Sequence, residues 1–545
     1  MHWDIGADVV VVGLGAAGAC AALEAAAAGR SVVVLDRFTG GGATALSGGV
    51  VYAGGGTPQQ RGAGVTDTAA AMFGYLRTEV GDVVPPATLR QFCDDSVTML
   101  GWLESHGVPF EGSLCPDKTS YPTNRHYLYY SGSEMSARDV ADPAPRGHRT
   151  RGRGTSGGLL FARLAAAVRR AGVEVVPQTT AVRLITDGGR VVGVECRSLG
   201  RAPLWVRTAH RLTQQVARKP YLYVPKLGRV MHRPADWLER RYGRTLRVGA
   251  TRGVVIAAGG FGANRSMLRA HAPSARGGLP LATPGDDGSG IRLGTEAGGT
   301  TACLERLSVW RFLTPPPALV RGVLVGPEGK RICDESRYGA AIGEAIVREG
   351  GRAWLLVDRA ILTEARRQVR GSTLWFQRLQ AWYLLFLAPV TAAKLAVVAA
   401  RAGVDPDGLA ATLAAYNAAA GGESDPTGKA TDSMGKPPDP MGKPPDPMGK
   451  PPDLLVALDQ PPYSLIDFSI RPRMLDPAPV LTLGGLVVAP DTGAVLRADG
   501  SPVPGLYAAG RSAVGLCSRS YVSGLSIADC VFSGRRAGRH AAGGG

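Results

Sequence analysis

Short apolar runs alternate with glycine-rich turns and helical patterns through the first half of the chain. This alternation predicts a mainly parallel sheet with helices on its faces. The predicted strands are residues 8–12, 31–35, 173–176, 182–186, 191–195 and 253–257, and the predicted helices are residues 19–28 and 157–171. The first strand, helix and second strand follow one another within about thirty residues, the length of a βαβ unit.

The middle of the chain has a different pattern. From residue 273 to residue 462 the segments are mixed and rich in helix, which predicts a second, α+β domain. The strand-and-glycine pattern then returns, and a final helix extends to about His540. We therefore predict an α/β fold whose first domain, residues 1–272 and 463–545, is interrupted by an inserted catalytic domain, residues 273–462.

Two further segments do not fit either domain pattern. Residues 201–247 lack strand signals and predict an insertion in the first domain. Residues 434–453 contain three copies of the sequence MGKPPD. Because Pro and Gly at this density break helices and strands, the repeat predicts an exposed linker.

The composition is that of a large enzyme with an enclosed site. A chain of 545 residues is long enough for roughly two or three folding units. Its eight cysteines are scattered, with no CxxC pair and no Cys/His spacing suited to zinc, so we predict reduced thiols and no metal. The N-terminus has no signal-peptide pattern, and these features together indicate a cytoplasmic protein.

The net charge of +17 suits either nucleic acid or an anionic membrane surface. Most of it is local, because residues 201–247 hold twelve Lys and Arg against Asp236 and Glu239. A second segment, residues 374–387, is rich in aromatic residues and poor in charge. Two interpretations stay open: an interfacial surface that docks on the inner face of the cell membrane, or a solvated basic cover and an ordinary buried helix. No segment is long enough to span a bilayer, and nucleic acid is not expected as a partner.

A glycine loop, Gly13-x-Gly15-x-x-Gly18, connects the first strand to the first helix. The first glycine permits the turn, the second lets a pyrophosphate approach the backbone, and the third lets the helix pack on the strand. Asp36, at the end of the second strand, is placed to accept hydrogen bonds from a ribose. The loop therefore predicts a Rossmann-type dinucleotide-binding domain.

A second glycine-rich loop, residues 40–49, follows Asp36 directly, and a third lies at residues 505–510. Further close approaches of the backbone suit a longer cofactor than NAD, so we predict FAD. The predicted cofactor contacts are Gly13, Gly15, Ala16, Ala17, Gly18, Asp36, Arg37, Gly42, Ala43, Thr44, Ser47, Gly48, Gly49, Ala181, Val182, Ala258, Gly259, Gly510 and Leu525.

At these loops, and at the segments GGATALSGG, IAAGGFGAN, GKRICDESRYG, LTLGGL and PGLYAAG, the sequence resembles a flavoprotein superfamily. Its members include fumarate reductases and 3-ketosteroid dehydrogenases, and the resemblance covers nearly the whole chain apart from the two inserts. Relatives that attach FAD covalently do so through a histidine in the loop after the acid. Residues 40–49 contain no histidine, so the resemblance implies non-covalent FAD.

The segment before the last helix separates the branches of this superfamily. Where fumarate reductases have an arginine that binds a dicarboxylate, this chain has Tyr521. The form Tyr-x-Ser-Gly-Leu-Ser, which includes Ser523, is most similar to the 3-ketosteroid dehydrogenases that introduce the Δ4 double bond into 5α-steroids. The second catalytic tyrosine of that family matches Tyr338, which follows Asp334 and Glu335.

The resemblance implies desaturation next to a ketone, in which a proton leaves the carbon α to the carbonyl and a hydride passes to the flavin N5. Tyr338 is expected to remove the C4 proton, Tyr521 to hydrogen-bond the 3-keto oxygen and Ser523 to assist, although the two tyrosines could exchange roles. Three further tyrosines are expected either to line the steroid pocket or to pack in the core. They are Tyr127, Tyr129 and Tyr130.

Other functions stay open at this point. A Δ1-dehydrogenase is the nearest alternative, followed by a fumarate-reductase-like enoate reductase and a non-catalytic FAD-binding module. The sequence specifies neither the side chain preferred at steroid C17, nor the electron acceptor, nor the oligomeric state.

Overall fold

A computed structural model describes residues 2–273, 278–421, 446–473 and 475–543. The chain forms two compact units. The first comprises Met1–Gly112, Gly147–Ser308 and Val480–Gly545, and the second comprises Ser113–Arg146 and Val309–Pro479. The discontinuous arrangement agrees with the sequence, but the boundaries differ from residues 272 and 462. Residues 113–146 also belong to the second unit, which no sequence pattern indicated.

The strands of the described residues, in chain order, are β1 (Ile5–Val12), β2 (Val32–Leu35), β3 (Val50–Tyr52), β4 (Leu128–Tyr129), β5 (Gly147–Arg149), β6 (Glu174–Val176), β7 (Thr179–Asp187), β8 (Arg190–Ser198), β9 (Arg244–Ile256), β10 (Leu279–Pro280), β11 (Thr301–Ala302), β12 (Leu307–Val309), β13 (Val323–Val325), β14 (Trp354–Val357), β15 (Val390–Ala392), β16 (Tyr463–Asp467), β17 (Pro479–Thr482), β18 (Gly485–Leu486), β19 (Ala494–Leu496) and β20 (Pro502–Ala508). The helices are α1 (Ala16–Ala27), α2 (Pro58–Gly62), α3 (Ala69–Val80), α4 (Pro86–Asp94), α5 (Ser96–Ser105), α6 (Gly157–Arg170), α7 (Leu204–Tyr223), α8 (Pro225–Tyr242), α9 (Arg265–His271), α10 (Ser289–Glu296), α11 (Gly339–Arg348), α12 (Arg359–Ser372), α13 (Trp375–Trp382), α14 (Leu395–Ala402), α15 (Pro406–Gly421) and α16 (Leu525–Gly543).

The main sheet of the first unit has the strand order β19-β20-β9-β1-β2-β6, with β7 and β8 attached through β9. Strands β20, β9, β1, β2 and β6 are parallel, and Val11 pairs with Val34 on one side and Val255 on the other. Residues Val9–Val11 are fully buried, as expected for a central parallel strand covered on both faces. The predicted α/β fold is confirmed.

The insertion predicted at residues 201–247 is a helical hairpin formed by α7 and α8, between β8 and β9. The helices cross closely at Gly228, where an added Cβ would lie 2.1 Å from the Cα of Tyr221. The hairpin packs on the first unit next to Phe38, whose ring contacts His210 and His232.

The second unit is built on an antiparallel sheet of order β13-β14-β16-β15, surrounded by α11–α15. Its core includes the fully buried Leu355, Leu356, Leu465 and Ile466. Within the described residues, no helix combines the length and the apolar character needed to cross a membrane.

The repeat at residues 434–453 is only partly described, because residues 434–445 lie outside the described ranges. Its last copy, residues 448–453, is described, and there Lys450 is only 2% exposed. Met448, Gly449 and Asp453 of the same copy are exposed, so within this copy burial is confined to Lys450 and Pro451. The linker stays a prediction. Buried partners of Lys450, remote in sequence, hold it in place.

Candidate functional site

The loop between β1 and α1 has the backbone geometry that its glycines predict. Gly13 has a φ of +103°, and an added Cβ would lie 2.5 Å from the carbonyl oxygen of Ala257. At Gly18 an added Cβ would lie 1.9 Å from the carbonyl oxygen of Gly13. Gly15 is different, because the nearest atom to its added Cβ is Thr44 Oγ1 at 3.5 Å. The chain therefore leaves space in front of Gly15, where α1 begins.

The other predicted loops converge on this point, at the carboxyl ends of the parallel strands. The backbone N–H of Ala257 donates to the carbonyl of Val12 at 2.8 Å, so Ala258 and Gly259 follow β9 beside the first loop. Gly510 follows β20, and an added Cβ there would lie 2.9 Å from the Cβ of Ala17. In open parallel sheets this end of the strands is where ligands bind.

Asp36 organises the turn that follows β2. Its carboxylate accepts hydrogen bonds from the backbone N–H groups of Leu14 at 2.9 Å, Phe38 at 2.8 Å and Gly40 at 3.0 Å. Its carbonyl accepts the backbone N–H of Thr179, which brings the start of β7 alongside, with Ala181 and Val182 two and three residues further along that strand. A hydrogen bond between Asp36 and the ribose stays a prediction. In the structure the carboxylate of Asp36 also fixes the loop that follows β2.

The second loop is linked to α1 through Thr44. Its hydroxyl accepts the backbone N–H of Ala16 at 3.0 Å, and its carbonyl accepts the hydroxyl of Ser47 at 2.7 Å. The Ser47 hydroxyl also accepts the N–H of Gly49 at 3.1 Å. Gly42 and Ala43 directly precede the short 3₁₀ turn Thr44–Leu46, and Gly48 accepts a backbone hydrogen bond from Ser156.

Arg37 makes contacts that the sequence did not predict. Its guanidinium forms ion pairs with Asp236 at 2.9 Å, Glu239 at 3.0 Å and Asp287 at 3.2 Å. Two of these carboxylates belong to α8, so Arg37 fastens the helical hairpin to the first unit. A contact of Arg37 with the cofactor stays a prediction, and its side chain is already surrounded by carboxylates.

The residues around these loops fit FAD. Seven buried side-chain polar atoms of the first unit have no hydrogen-bond partner among the described residues, and three of them belong to segments beside these loops: Ser156 Oγ, Thr482 Oγ1 and Arg511 Nη1. Buried polar atoms are nearly always paired, so such atoms mark places where a polar ligand would bind. Thr482 and Arg511 lie near Gly260. The quoted motif LTLGGL contains Thr482, and Arg511 directly follows the quoted motif PGLYAAG, but sequence reasoning assigned neither residue.

Tyr521 and Ser523 lie in the first unit, in the loop before α16. This loop is held against β3, because the N–H of Tyr52 donates to the carbonyl of Gly524 at 3.1 Å. Gly524 has a φ of +88°, and an added Cβ would lie 2.8 Å from the Tyr52 nitrogen. Burial raises the pKa of the Tyr521 phenol above its ordinary value, so this tyrosine stays protonated and can donate a hydrogen bond. Leu525 begins α16 and is fully buried.

Tyr338 lies in the second unit, directly before α11. Its backbone N–H donates to Ser133 Oγ at 3.0 Å, and its ring meets Phe312 edge-on at 5.4 Å. It lines a small pocket of the second unit. The lining is Lys118, Thr119, Ser120, Phe312, Leu313, Thr314, Val320, Glu335, Ser336, Arg337, Tyr338, Gly339 and Ile342.

The pocket lining does not include the three tyrosines predicted near the substrate. Tyr127 and Tyr129 are buried, and Tyr130 is partly buried with a pKa raised by burial and by the neighbouring Glu134. The burial of Tyr127 and Tyr129 is compatible with packing in the core, and a place in the steroid pocket stays a prediction for all three tyrosines. Among the described residues no group of His, Cys, Asp or Glu could hold a metal ion.

Together, the parallel sheet, the three glycine loops and the acid after β2 define a dinucleotide-binding flavoprotein. A family model described as "FAD binding domain" matches residues 8–524. The chain belongs to this family, and the prediction of FAD is confirmed.

Individual relatives are similar over nearly their full length. The 3-oxo-5-alpha-steroid 4-dehydrogenase of Comamonas testosteroni is 36% identical over 525 residues, covering 94% of this chain and 93% of the relative. The 3-oxosteroid 1-dehydrogenase of Mycobacterium tuberculosis is 27% identical, covering 98% of both chains. The crystal structure of the 3-ketosteroid-Δ4-(5α)-dehydrogenase of Rhodococcus jostii RHA1, in complex with 4-androstene-3,17-dione, superimposes with a TM-score of 0.80 at 31% identity. The match covers 99% of this chain and 98% of that one.

Proposed function

We propose that this protein is an FAD-dependent 3-ketosteroid dehydrogenase that introduces the Δ4 double bond into 3-oxo-5α-steroids. The observation that carries the proposal is Tyr521, a protonated phenol in the position where a dicarboxylate enzyme has an arginine. The relatives from Comamonas and Rhodococcus support the same reaction. We propose non-covalent binding of FAD, because residues 40–49 contain no histidine.

The chain's own residues supply the acid–base chemistry. Bound FAD accepts the hydride that leaves the β carbon. Tyr521 donates a hydrogen bond to the 3-keto oxygen, which acidifies the neighbouring C4–H bond. Tyr338, acting as a phenolate, takes the C4 proton and becomes a neutral phenol, and Ser523 assists enolisation. The raised pKa of Tyr521 suits a hydrogen-bond donor, although the two tyrosines could exchange roles.

The alternatives predict different behaviour with substrates. A non-catalytic FAD-binding module would keep its flavin oxidised with any steroid, and an enoate reductase would exchange electrons with a dicarboxylate. We expect anaerobic 5α-androstane-3,17-dione to bleach the flavin and succinate to leave it oxidised. Bleaching by succinate alone would contradict the proposal.

We also propose that the protein contacts an anionic membrane through the hairpin of α7 and α8. On α7 one stripe of side chains is exposed: Trp205, Leu212, Val216 and Tyr223, with 54% to 64% of each residue accessible. Their spacing of seven, four and seven positions places them on one side of the helix. On the opposite side, residues such as His210 and Tyr221 are buried against the protein.

The apolar stripe continues on α8. Leu227, Val230 and Trp237 are more than half exposed. The rings of Trp205 and Trp237 both contact Tyr242, at 5.4 Å and 5.9 Å, so the two stripes join at this end of the hairpin. Large exposed apolar surfaces of this kind mark interaction sites, and aromatic residues favour the membrane interface.

The acidic and the basic residues of the hairpin lie on different sides. Its two carboxylates face inward, where Asp236 pairs with Arg37 and His232, and Glu239 pairs with Arg37 and His210. Several exposed cations of α7 and α8 form no ion pair with a described residue. They are Arg211, Lys219, Lys226 and Arg233. An apolar stripe flanked by unpaired cations complements an anionic bilayer.

We expect the full-length protein to float with vesicles of phosphatidylcholine and phosphatidylglycerol, but not with phosphatidylcholine alone. Binding should weaken at high salt because surface charges are screened. The double variant Lys226→Glu/Arg233→Glu should lose binding by at least about tenfold, since each cation near the surface contributes about 1 kcal/mol. Both side chains are exposed, so the fold and the flavin should be unaffected.

The matched control is Trp375→Ser/Trp382→Ser, which alters the second aromatic segment, where both residues are also exposed. This variant should bind like the parent. The assignment of the membrane contact to the hairpin would be wrong if Trp375→Ser/Trp382→Ser lost vesicle binding while Lys226→Glu/Arg233→Glu kept it. If the parent protein floated equally with both kinds of vesicle, the proposed electrostatic contact with the membrane would be wrong.

A further inference from the structure

The last copy of the MGKPPD repeat contains a buried lysine. Lysine is almost never buried unless it is paired, yet the side chain of Lys450 has no exposed surface. Its ammonium donates to the carbonyl of Gly322 at 2.8 Å and to Tyr416 Oη at 2.9 Å, and it lies 3.2 Å from Glu335 Oε2. These three contacts match the three donors of an ammonium group.

The residues just before Lys450 contribute a second charge to the same place. One oxygen of Asp446 accepts the backbone N–H groups of Met448 and Lys450, and the other accepts Arg331 Nη1 at 2.5 Å. Arg331 in turn forms a bidentate pair with Glu335, at 2.7 Å and 3.0 Å. Two carboxylates and two cations thus form a closed buried cluster, in which each charge is balanced.

Glu335 connects this cluster to the loop that ends at Tyr338. Its carboxylate also accepts the backbone N–H of Leu324 at 2.9 Å. Burial alone would raise the pKa of Glu335, but Lys450 and Arg331 hold it below its ordinary value, so the group stays ionised. Glu335 and Tyr338 line the same pocket, three positions apart.

The rest of the loop is fixed by short polar contacts within the second unit. Asp334 accepts the N–H and the hydroxyl of Ser336, and that hydroxyl is hydrogen-bonded to Ser136 at 2.8 Å. Tyr338 is held by Ser133, as described above. Among the described contacts, the repeat therefore reaches this segment at two residues: Asp446 binds Arg331, and Lys450 binds Glu335.

We propose that Lys450 is a positioning residue: it holds Glu335 and thereby fixes the loop that orients Tyr338 toward the substrate. The inference rests on the proposed catalytic role of Tyr338. It gives Lys450, in the last copy of the repeat, a structural role in the second unit.

The test compares Lys450→Met with Lys443→Met, which alters the same MGKPPD sequence one copy earlier. Met keeps the length of the side chain and removes the charge. We expect Lys450→Met to lower the rate of flavin reduction at saturating 5α-androstane-3,17-dione by about tenfold or more, since small misplacements of reacting groups have effects of this size. The steroid concentration for half-saturation should change much less, and Lys443→Met should match the parent in both.

A loss of stability alone would not produce this pattern, so each variant is assayed well below its Tm and at equal flavin content. Hydrogen exchange of the peptide covering residues 331–338 should accelerate in Lys450→Met and not in Lys443→Met. The double variant Glu335→Gln/Lys450→Met should recover part of the rate, because no unpaired buried charge remains.

Unchanged exchange in Lys450→Met would overturn the anchoring of the loop. Faster exchange with an unchanged rate of flavin reduction would overturn the effect on catalysis. An equal decrease of that rate in Lys450→Met and Lys443→Met would overturn it as well. A failure of the proposed function has a different signature, since Tyr338→Phe would then keep the parent rate even though Lys450→Met loosens the loop.

Discussion

Replacing Tyr338 with Phe should lower the rate of flavin reduction by a 5α-3-ketosteroid by about 10²- to 10⁴-fold, the usual contribution of a general base. The change removes only the hydroxyl. The ring contact with Phe312 and the hydrogen bond from the Tyr338 backbone to Ser133 do not involve that oxygen. Stopped-flow bleaching under anaerobic conditions measures the effect directly.

The matched control for this variant is Tyr463→Phe. Tyr463 belongs to the same unit, in β16, where it pairs with Ala392 at the edge of the sheet. It lies outside the pocket lining, and its replacement should leave the rate unchanged. A parent-like rate in Tyr338→Phe, at equal flavin content, would remove Tyr338 from the mechanism.

Replacing Gly15 with Ala should weaken FAD binding about tenfold to a hundredfold without unfolding the protein. The added Cβ would make only an ordinary contact with the chain, 3.5 Å from Thr44 Oγ1. It would instead fill the space in front of α1, where the pyrophosphate approaches the backbone. Losing one or two charge-assisted hydrogen bonds there accounts for the expected change in affinity. Titration of the apoprotein with FAD gives the dissociation constant.

Variants of two other glycines serve as controls for this experiment. Gly101→Ala adds a Cβ that meets nothing within 4 Å, so it should leave the affinity for FAD unchanged and, inside α5, stabilise the fold by about 0.5–1 kcal/mol. Gly18→Ala places a Cβ 1.9 Å from the carbonyl of Gly13 and should destabilise the fold itself. If Gly15→Ala retains the parent's affinity for FAD, the pyrophosphate does not approach the backbone at this glycine.

The cofactor loops were predictable because their requirements are local. A positive φ at Gly13 and a helix that begins directly after Gly15 leave their mark in the sequence as glycines at fixed spacing. Strand β2 and the acid that ends it follow within the same βαβ unit. The contacts with residues 257–259 and 510 come from the parallel order of the strands, which the alternating pattern also predicts.

The helical hairpin was missed as helices although both helices are amphipathic. Pro220 and Pro234 lie inside the helices, where proline normally indicates a break. The inward carboxylates of α8 find their partner in Arg37, about two hundred positions away, and no local pattern reports such a pairing.

The last copy of the repeat illustrates the same limit. Its proline and glycine content correctly excludes helix and strand, but not burial. Lys450 is buried because Glu335 and Tyr416 meet it across more than thirty positions of sequence. The place of residues 113–146 in the second unit could not be predicted for a similar reason. The few short elements of this segment have no hydrophobic periodicity that would indicate which part of the chain they pack against.

The product formed from 5α-androstane-3,17-dione tests the proposed function most directly. We predict that the anaerobic reaction bleaches the flavin and yields 4-androstene-3,17-dione, in one equivalent per flavin. Formation of the Δ1 isomer, 5α-androst-1-ene-3,17-dione, would contradict the Δ4 assignment, and a flavin that stays oxidised would contradict the assignment as a ketosteroid dehydrogenase.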